Sequence, residues 1–141
     1  MKTSSKKSTV EVAATSGSYR FISGQREQHT LEGDILLVRA VVDGKEYRFS
    51  DAYAKNNIPS GGKVKEVEIR FSIHLSPSSI NCNGVTPKSL VAMYEESFKE
   101  KAQQICSSWL KRYDLKMSKK RVCKQVPCSN SHCSFVVEES Y

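Results

Sequence analysis

Residues 64–75 show the cleanest alternation of apolar and polar side chains in the sequence, and this pattern constrains the fold most strongly. The apolar positions are Val67, Ile69, Phe71, Ile73 and Leu75. A period of two places them on one face of a β-strand and the intervening polar residues on the other face. The segment therefore predicts a strand in a half-buried sheet whose apolar face has to be covered.

A second strand pair is predicted around Asp43-Gly44. The apolar run Ile35–Val42 precedes this dipeptide and the β-rich segment Lys45–Ser50 follows it. Asp-Gly between two such runs is typical of a two-residue type I′ hairpin. The turn fixes the register, so Ala40 should lie opposite Tyr47 and Arg39 opposite Arg48.

A helix is predicted from Thr86 to Tyr113, with Thr86 as N-cap and Pro87 at the first helical position. Its apolar stripe recurs every three or four residues and comprises Leu90, Tyr94, Phe98, Ala102, Ile105, Trp109 and Tyr113. Such a helix would be about 40 Å long and could cover the apolar face of the sheet. The predicted fold class is α+β, an antiparallel sheet of three to five strands covered by one long C-terminal helix.

The composition predicts three regions. The 141 residues suffice for one ordinary domain, which we assign to residues 10–113. Residues 1–9 are rich in Ser, Thr and Lys and are expected to be disordered. Residues 114–141 are expected to form a basic, cysteine-containing tail. Neither a long apolar run nor a secretory signal is present, which favours an intracellular protein of the cytoplasm, or also of the nucleus, without a membrane partner.

The net charge of +7 is unevenly distributed. Residues 1–7 carry +3 and residues 111–124 carry +6, which leaves −2 for the rest of the chain. Positive charge concentrated in flanking segments is typical of proteins that bind an anionic polymer, most often nucleic acid. The alternative is that the terminal lysines only keep the chain in solution.

The candidate nucleic-acid-binding residues fall into two groups. The first is the basic segment, with Lys111, Arg112, Lys119, Lys120, Arg121 and Lys124. The second is an arginine face of the sheet, with Arg39, Arg48 and Arg70. Arg39 and Arg48 would lie directly opposite each other, where like charges repel unless an anion binds. The alternative for this face is ion pairing with the neighbouring Glu46, Glu66 and Glu68, at about 0–1 kcal/mol each.

Four candidate zinc ligands lie close together near the C-terminus: Cys123, Cys128, His132 and Cys133. Thiolates and imidazoles are the donors that structural zinc prefers. The adjacent His132 and Cys133 would reach one ion only with difficulty, so Cys106 or Cys82 could be needed to complete the set. We expect reduced thiols and no cofactor, with a zinc site as the alternative. The sequence has no catalytic motif, and we expect a protein that is not an enzyme.

Two resemblances point to plant RNA viruses. The basic run Lys119–Arg121 beside the cysteines is similar to small cysteine-rich nucleic-acid-binding proteins of these viruses. Residues 67–71, 79–84 and 86–106 together resemble the strand–strand–helix end of the tombusvirus RNA silencing suppressor. That resemblance implies sequestration of short duplex RNA by a sheet face. The paired tryptophans of the suppressor family are absent, since Trp109 is the single tryptophan.

The sequence thus predicts a non-enzymatic nucleic-acid-binding protein, with RNA favoured over DNA. The resemblances imply a viral accessory protein that acts as a silencing suppressor or movement factor. One alternative is a protein-interaction module that binds a host or sister protein, a homodimer included, with the basic tail as a localisation signal. Another is a structural component of a particle that holds genome with its basic ends.

Overall fold

The structure, a computed structural model, describes residues 8–14, 16–22, 30–75, 91–126 and 131–140. Strands make up 56% of these residues and helical residues 21%. The elements in chain order are β1 (Thr9–Ala13), β2 (Ser16–Ile22), β3 (Thr30–Val42), β4 (Lys45–Arg48), β5 (Lys55–Pro59), β6 (Val64–Ser72), β7 (His74–Leu75), α1 (Glu95–Arg112), β8 (Arg121–Val126) and β9 (His132–Glu139). Residues 91–93, just before α1, are also helical.

The strands form a large and a small antiparallel sheet. The large sheet has the order β2-β3-β6-β9-β8, and the small one pairs β1 with β5. At 13 residues β3 is long enough to pair with two strands on each edge. One edge holds β2 and then β4, and the other holds β6 and β7.

The hairpin prediction is confirmed. Asp43 and Gly44 both have positive φ, 51° and 80°, as a type I′ turn requires. The register pairs Ala40 with Tyr47 and Arg39 with Arg48.

The alternation in residues 64–75 is also confirmed, since β6 buries its apolar face. Val67, Ile69 and Phe71 are fully buried. The neighbouring β9 adds its own buried row, Cys133, Phe135 and Val137, on the same side. We call this side of the large sheet the inner face and the opposite side the outer face.

Two layers cover the inner face. Helix α1 packs on it through Phe98, whose ring lies 5.6 Å from the Phe135 ring and 5.0 Å from the Phe71 ring, centroid to centroid. The small sheet contributes Val12 and Ile58, which are fully buried in the same core. The outer face of the large sheet carries the polar residues of the alternating strands.

The predicted fold class is wrong, because the protein is mostly β. Helix α1 has 18 residues, not about 27, and it is followed by two more strands instead of ending the chain. The predicted helix start at Thr86 and Pro87 lies outside the described residues. The helix ends where Asp114 adopts a left-handed conformation (φ 54°) and the Leu115 amide donates to the Leu110 carbonyl at 2.9 Å. This is a Schellman-type stop.

The expected basic tail is also replaced by regular structure. Strand β9 lies inside the large sheet between β6 and β8, and it contributes Phe135 and Val137 to the core. The prediction from sequence treated Cys133 as a ligand and so missed the alternation Cys133, Phe135, Val137. Because these three side chains point to one face, they are core residues of a strand.

Candidate nucleic-acid interface

The turn after α1 brings several distant segments to one end of the large sheet. Beyond Leu115 the chain runs beside the start of β6, where Lys116 and Lys63 form a parallel bridge. The Val64 amide donates to the Lys116 carbonyl at 2.7 Å, and the Lys116 amide donates to the Gly62 carbonyl at 3.0 Å. The end of the helix is therefore fixed to the first residues of β6.

The β3–β4 hairpin and the C-terminal strand pair meet at the same end. The Asp43 amide donates to the Lys63 carbonyl at 2.8 Å, and the Lys63 amide donates to Asp43 Oδ1 at 2.9 Å. The Ser118 amide donates to Glu139 Oε2 at 2.8 Å, and the Ser140 amide donates to the Lys120 carbonyl at 2.8 Å. These bonds hold four separate stretches of chain together.

We call the cations on these stretches the basic end. They are Lys45, Lys63, Lys65, Lys111, Arg112, Lys116, Lys119, Lys120 and Arg121. All except Arg121, which is half-buried, are exposed. Within the part of the chain that the structure describes, none of them has a carboxylate oxygen within 4.0 Å.

Asp43, Asp114 and Glu139 lie at this end and offset only part of the nine positive charges. Asp43 and Glu139 each accept a backbone N–H, as described above, and Asp114 forms the helix stop. Two of the cations rest on aromatic rings instead: Lys45 lies 5.2 Å from the centre of the Tyr47 ring, and Arg112 lies 5.6 Å from that of Tyr113. The basic end is an exposed surface of unpaired positive charge.

Arg121 is anchored more firmly than the lysines. Its Nε donates to the Ser118 carbonyl at 2.9 Å, and its Nη1 donates to Ser107 Oγ at 3.0 Å. These bonds tie the start of β8 to the last turns of α1. Arg121 therefore shapes the loop that presents Lys119 and Lys120.

The structure brings together five of the six residues predicted from the basic segment. The exception is Lys124, whose Nζ lies 2.9 Å from Glu138 on the outer face of the large sheet. The prediction from sequence missed Lys45, Lys63 and Lys65 and did not select Lys116. No local signal connects these lysines, because only the β3–β4 turn and the bridge to residue 116 place them side by side.

The predicted arginine face is largely neutralised by ion pairs. The Arg39 side chain is only 17% exposed and lies 2.5 Å from Glu66, 2.9 Å from Glu68 and 3.8 Å from Glu46. Burial alone would lower the pKa of Arg39, but the hydrogen bonds to Glu66 and Glu68 outweigh it and raise that pKa. Arg48 also pairs with Glu46. Both arginines already have carboxylate partners and therefore offer little free charge to a ligand.

Arg70 differs from the other two arginines. It lies on the outer face between Leu36 of β3 and Ser134 of β9. Its Nε is buried without a hydrogen-bond partner in the described part of the protein. No carboxylate of the described residues lies within 4.0 Å of it, in contrast to Arg39 and Arg48.

The candidate zinc ligands are spread over both faces of the large sheet. Cys133 is fully buried on the inner face, and the adjacent His132 points to the outer face, so the two cannot bind one ion while β9 is intact. Cys123 pairs with Val137, about 13 Å along β9 from Cys133. Cys128 lies outside the described residues. No three His, Cys, Asp or Glu side chains cluster as ligands in the described ranges.

The thiols of Cys106, which is buried, and Cys123, which is half-buried, are also poorly suited to bind a metal as they stand. Burial raises the pKa of both Cys106 and Cys123 to about 11. Metal ligation requires the thiolate, which these sites disfavour. Cys106 instead contacts Met117, with a sulfur–sulfur distance of 3.7 Å.

Comparison with known protein families, curated protein sequences and solved structures finds no match. The resemblance to plant-virus proteins therefore stays a prediction. In the described ranges, no helix has the length and apolar character needed to span a membrane.

Proposed function

We propose that this protein binds nucleic acid without catalysing a reaction and that the basic end is its principal contact surface. The observation that carries the proposal is the set of nine cations, drawn from three separate stretches of the chain, none of which pairs with a carboxylate of the described residues. Cations that are left unpaired at such density repel one another, and a polyphosphate relieves that repulsion while releasing its own counterions.

The pairing pattern supports the basic end over the arginine face as the phosphate-binding surface. Each ion pair on the outer face would have to be broken before its cation could bind a phosphate. Arg39 would leave three carboxylates behind, which would then repel the phosphates. At the basic end, a phosphate can bind without breaking an ion pair of the described residues. RNA is the first ligand to test because the sequence resemblance implies it.

Deletion of residues 116–141 would not test this proposal, because it removes β8 and β9 and with them part of the core. Substitutions that keep the fold are required. The basic-end variant changes Lys65, Lys116, Lys119 and Lys120 to Gln, since all four are exposed. We expect its affinity for a ten-residue oligouridylate, measured by fluorescence anisotropy, to fall by more than about tenfold. The slope of log K against log salt should drop by about 0.7 for each phosphate that the variant no longer neutralises.

The matched control neutralises four cations that are paired and at least half exposed: Arg20, Arg48, Lys55 and Lys124, each changed to Gln. Both variants lower the net charge by the same amount. The control should keep most of its affinity, because its cations are not free to bind phosphate. Equal losses in both variants would show that overall charge, not the basic end, drives binding. A wild-type protein that does not bind RNA or DNA at low salt would refute the proposal.

A further inference from the structure

A groove opens on the outer face of the large sheet, away from the basic end. It encloses about 530 Å³, within the range of about 300–1,000 Å³ typical of ligand sites. Its floor and walls come from β3, β6 and the loop after β4. The residues that define its chemistry are Leu36, Ala52, Asp34, Asp51 and Arg70.

Arg70 lies in this groove with a hydrogen-bond donor that has no partner. Its Nε is buried and has no acceptor among the described residues. Because a buried donor without a partner is destabilising, an unpartnered one in a groove indicates that a ligand or water supplies the acceptor. The other outer-face arginines of the described residues, Arg20, Arg39 and Arg48, have their carboxylates already.

The two carboxylates in the groove restrict what that ligand can be. Asp34 and Asp51 share the groove with Arg70, yet neither lies within 4.0 Å of it. This separation leaves space for a molecule between cation and carboxylates. A phosphate or a carboxylate would be repelled by the two aspartates. A neutral ligand with acceptors on one side and N–H donors on the other satisfies both.

We propose that the groove binds an unpaired guanine base. Guanine O6 and N7 accept from an arginine, which is the commonest specific contact to this base, while its N1–H and N2 amino group donate to carboxylates. Leu36 and Ala52 provide apolar surface for the flat ring. Tyr53, the next residue along the chain, is 89% exposed and gives a neighbouring base a ring to stack on.

This inference rests on the proposed function and adds to it the base that the protein prefers. Arg70 lies six residues along β6 from Val64 at the basic end, or about 20 Å. A single strand held by its phosphates at the basic end can therefore reach the groove within a few nucleotides. The basic end then supplies affinity without sequence preference, and the groove supplies the preference for guanine.

The test compares a ten-residue oligouridylate with the same oligomer carrying one central guanine, adenine or cytosine, by fluorescence anisotropy. We expect the guanine oligomer to bind about 5- to 100-fold more tightly than the other three, as one good arginine–guanine contact predicts. Arg70→Gln should bring the guanine oligomer to the level of the others. Asp51→Asn, which keeps the oxygen that accepts the Tyr53 amide, should reduce the preference as well.

Arg48→Gln is the matched control, since it removes another outer-face arginine that lies outside the groove, and it should keep the guanine preference. Titration of wild-type protein with guanosine monophosphate, followed by NMR, separates the two proposals. Shifts around Arg70 that adenosine monophosphate does not cause would support the groove even if the basic end proved unimportant. Binding of all four oligomers with equal affinity, or a preference that survives Arg70→Gln, would overturn the inference and leave the proposed function intact.

Discussion

Two groups of cations in this protein have opposite surroundings. On the outer face of the large sheet, Arg39 lies among three carboxylates and is mostly buried. At the basic end, Lys63 and Lys116 lie side by side, exposed and without a carboxylate of the described residues within 4.0 Å. The number of basic residues in a region therefore does not locate a binding surface. What matters is whether each charge already has a partner.

The difference has a structural origin. On a sheet, the residue opposite is fixed by register, and Arg39 is paired across the strands with Glu68. At the basic end most of the cations lie on turns or near the ends of elements. Register does place Glu139 opposite Arg121, but the Glu139 carboxylate accepts the Ser118 amide and lies more than 4.0 Å from the Arg121 guanidinium. Lys111 and Arg112 occupy the last turn of α1, where positive charge interacts favourably with the helix dipole. The fold therefore tolerates their charge without ion pairs.

The largest effect is expected at Arg39, if the outer-face cations are structural. Arg39→Leu leaves Glu66 and Glu68 without a counter-charge, while Glu46 keeps its pair with Arg48. Complete loss of a partner in a buried pair costs about 3–5 kcal/mol, and this site is partly exposed, so we expect about 2–3 kcal/mol in the free energy of unfolding. Urea denaturation measures it.

Arg48→Leu is the matched control, because the Arg48 side chain is 74% exposed and Glu46 would still have Arg39. Its effect should stay within about 0.5 kcal/mol. If Arg39→Leu were equally mild, the outer-face cluster would not be structural, and Arg39 would again be a candidate for ligand binding.

The elements that follow local rules could be predicted from the sequence. The alternation of β6 and the Asp43-Gly44 turn depend on neighbouring residues only, and both are confirmed. The central place of β9 could not be predicted in this way, because its row of Cys133, Phe135 and Val137 becomes meaningful only when β6 and β8 pair with it. The predicted helix was too long because the apolar stripe of the sequence continues through Tyr94, whereas α1 begins at Glu95.

The residues of the candidate site also fall into two groups, those that are close in sequence and those that only the fold brings together. Lys111, Arg112, Lys119, Lys120 and Arg121 were found because they are close in sequence. Lys63 joins them through a bridge to a residue 53 positions away, which no local pattern indicates. The groove around Arg70 likewise requires β3, β6 and the loop after β4 to meet. The sequence showed Arg70 as one of three similar arginines, and only its missing partner distinguishes it.

A second, smaller effect is expected for the thiols of Cys106 and Cys123, on the inner side of β8 and next to the basic end. Burial raises the pKa of Cys106 and Cys123 from 9.0 to about 11. At pH 8 the thiolate fraction should be about a hundredfold lower than in the unfolded chain, and alkylation by iodoacetamide should slow accordingly. Mass spectrometry of native and urea-unfolded protein measures both sites.

The same shift has a consequence for stability at high pH. The unfolded chain loses these protons near pH 9, while the folded protein keeps them until about pH 11. The stability that they contribute is therefore present below pH 9 and is lost as the pH rises toward 11. Rapid alkylation of native Cys123 at pH 8 would mean that β8 exposes a reactive thiol, and the zinc hypothesis would regain support.

The smallest effect provides the most direct contrast between the two regions. Because Lys63 and Lys116 face each other as like charges, Lys116→Gln should raise the free energy of unfolding by up to about 0.5 kcal/mol at low salt. The gain should vanish in 1 M salt, where charges are screened beyond about 3 Å. Lys124→Gln, which breaks the pair with Glu138, should leave stability unchanged or lower it slightly under the same conditions. Urea denaturation at both salt concentrations gives the sign of each change. A loss of stability in Lys116→Gln at low salt would mean that Lys116 is structurally paired after all. The basic end would then not be a surface that keeps unpaired charge for binding at a cost in stability.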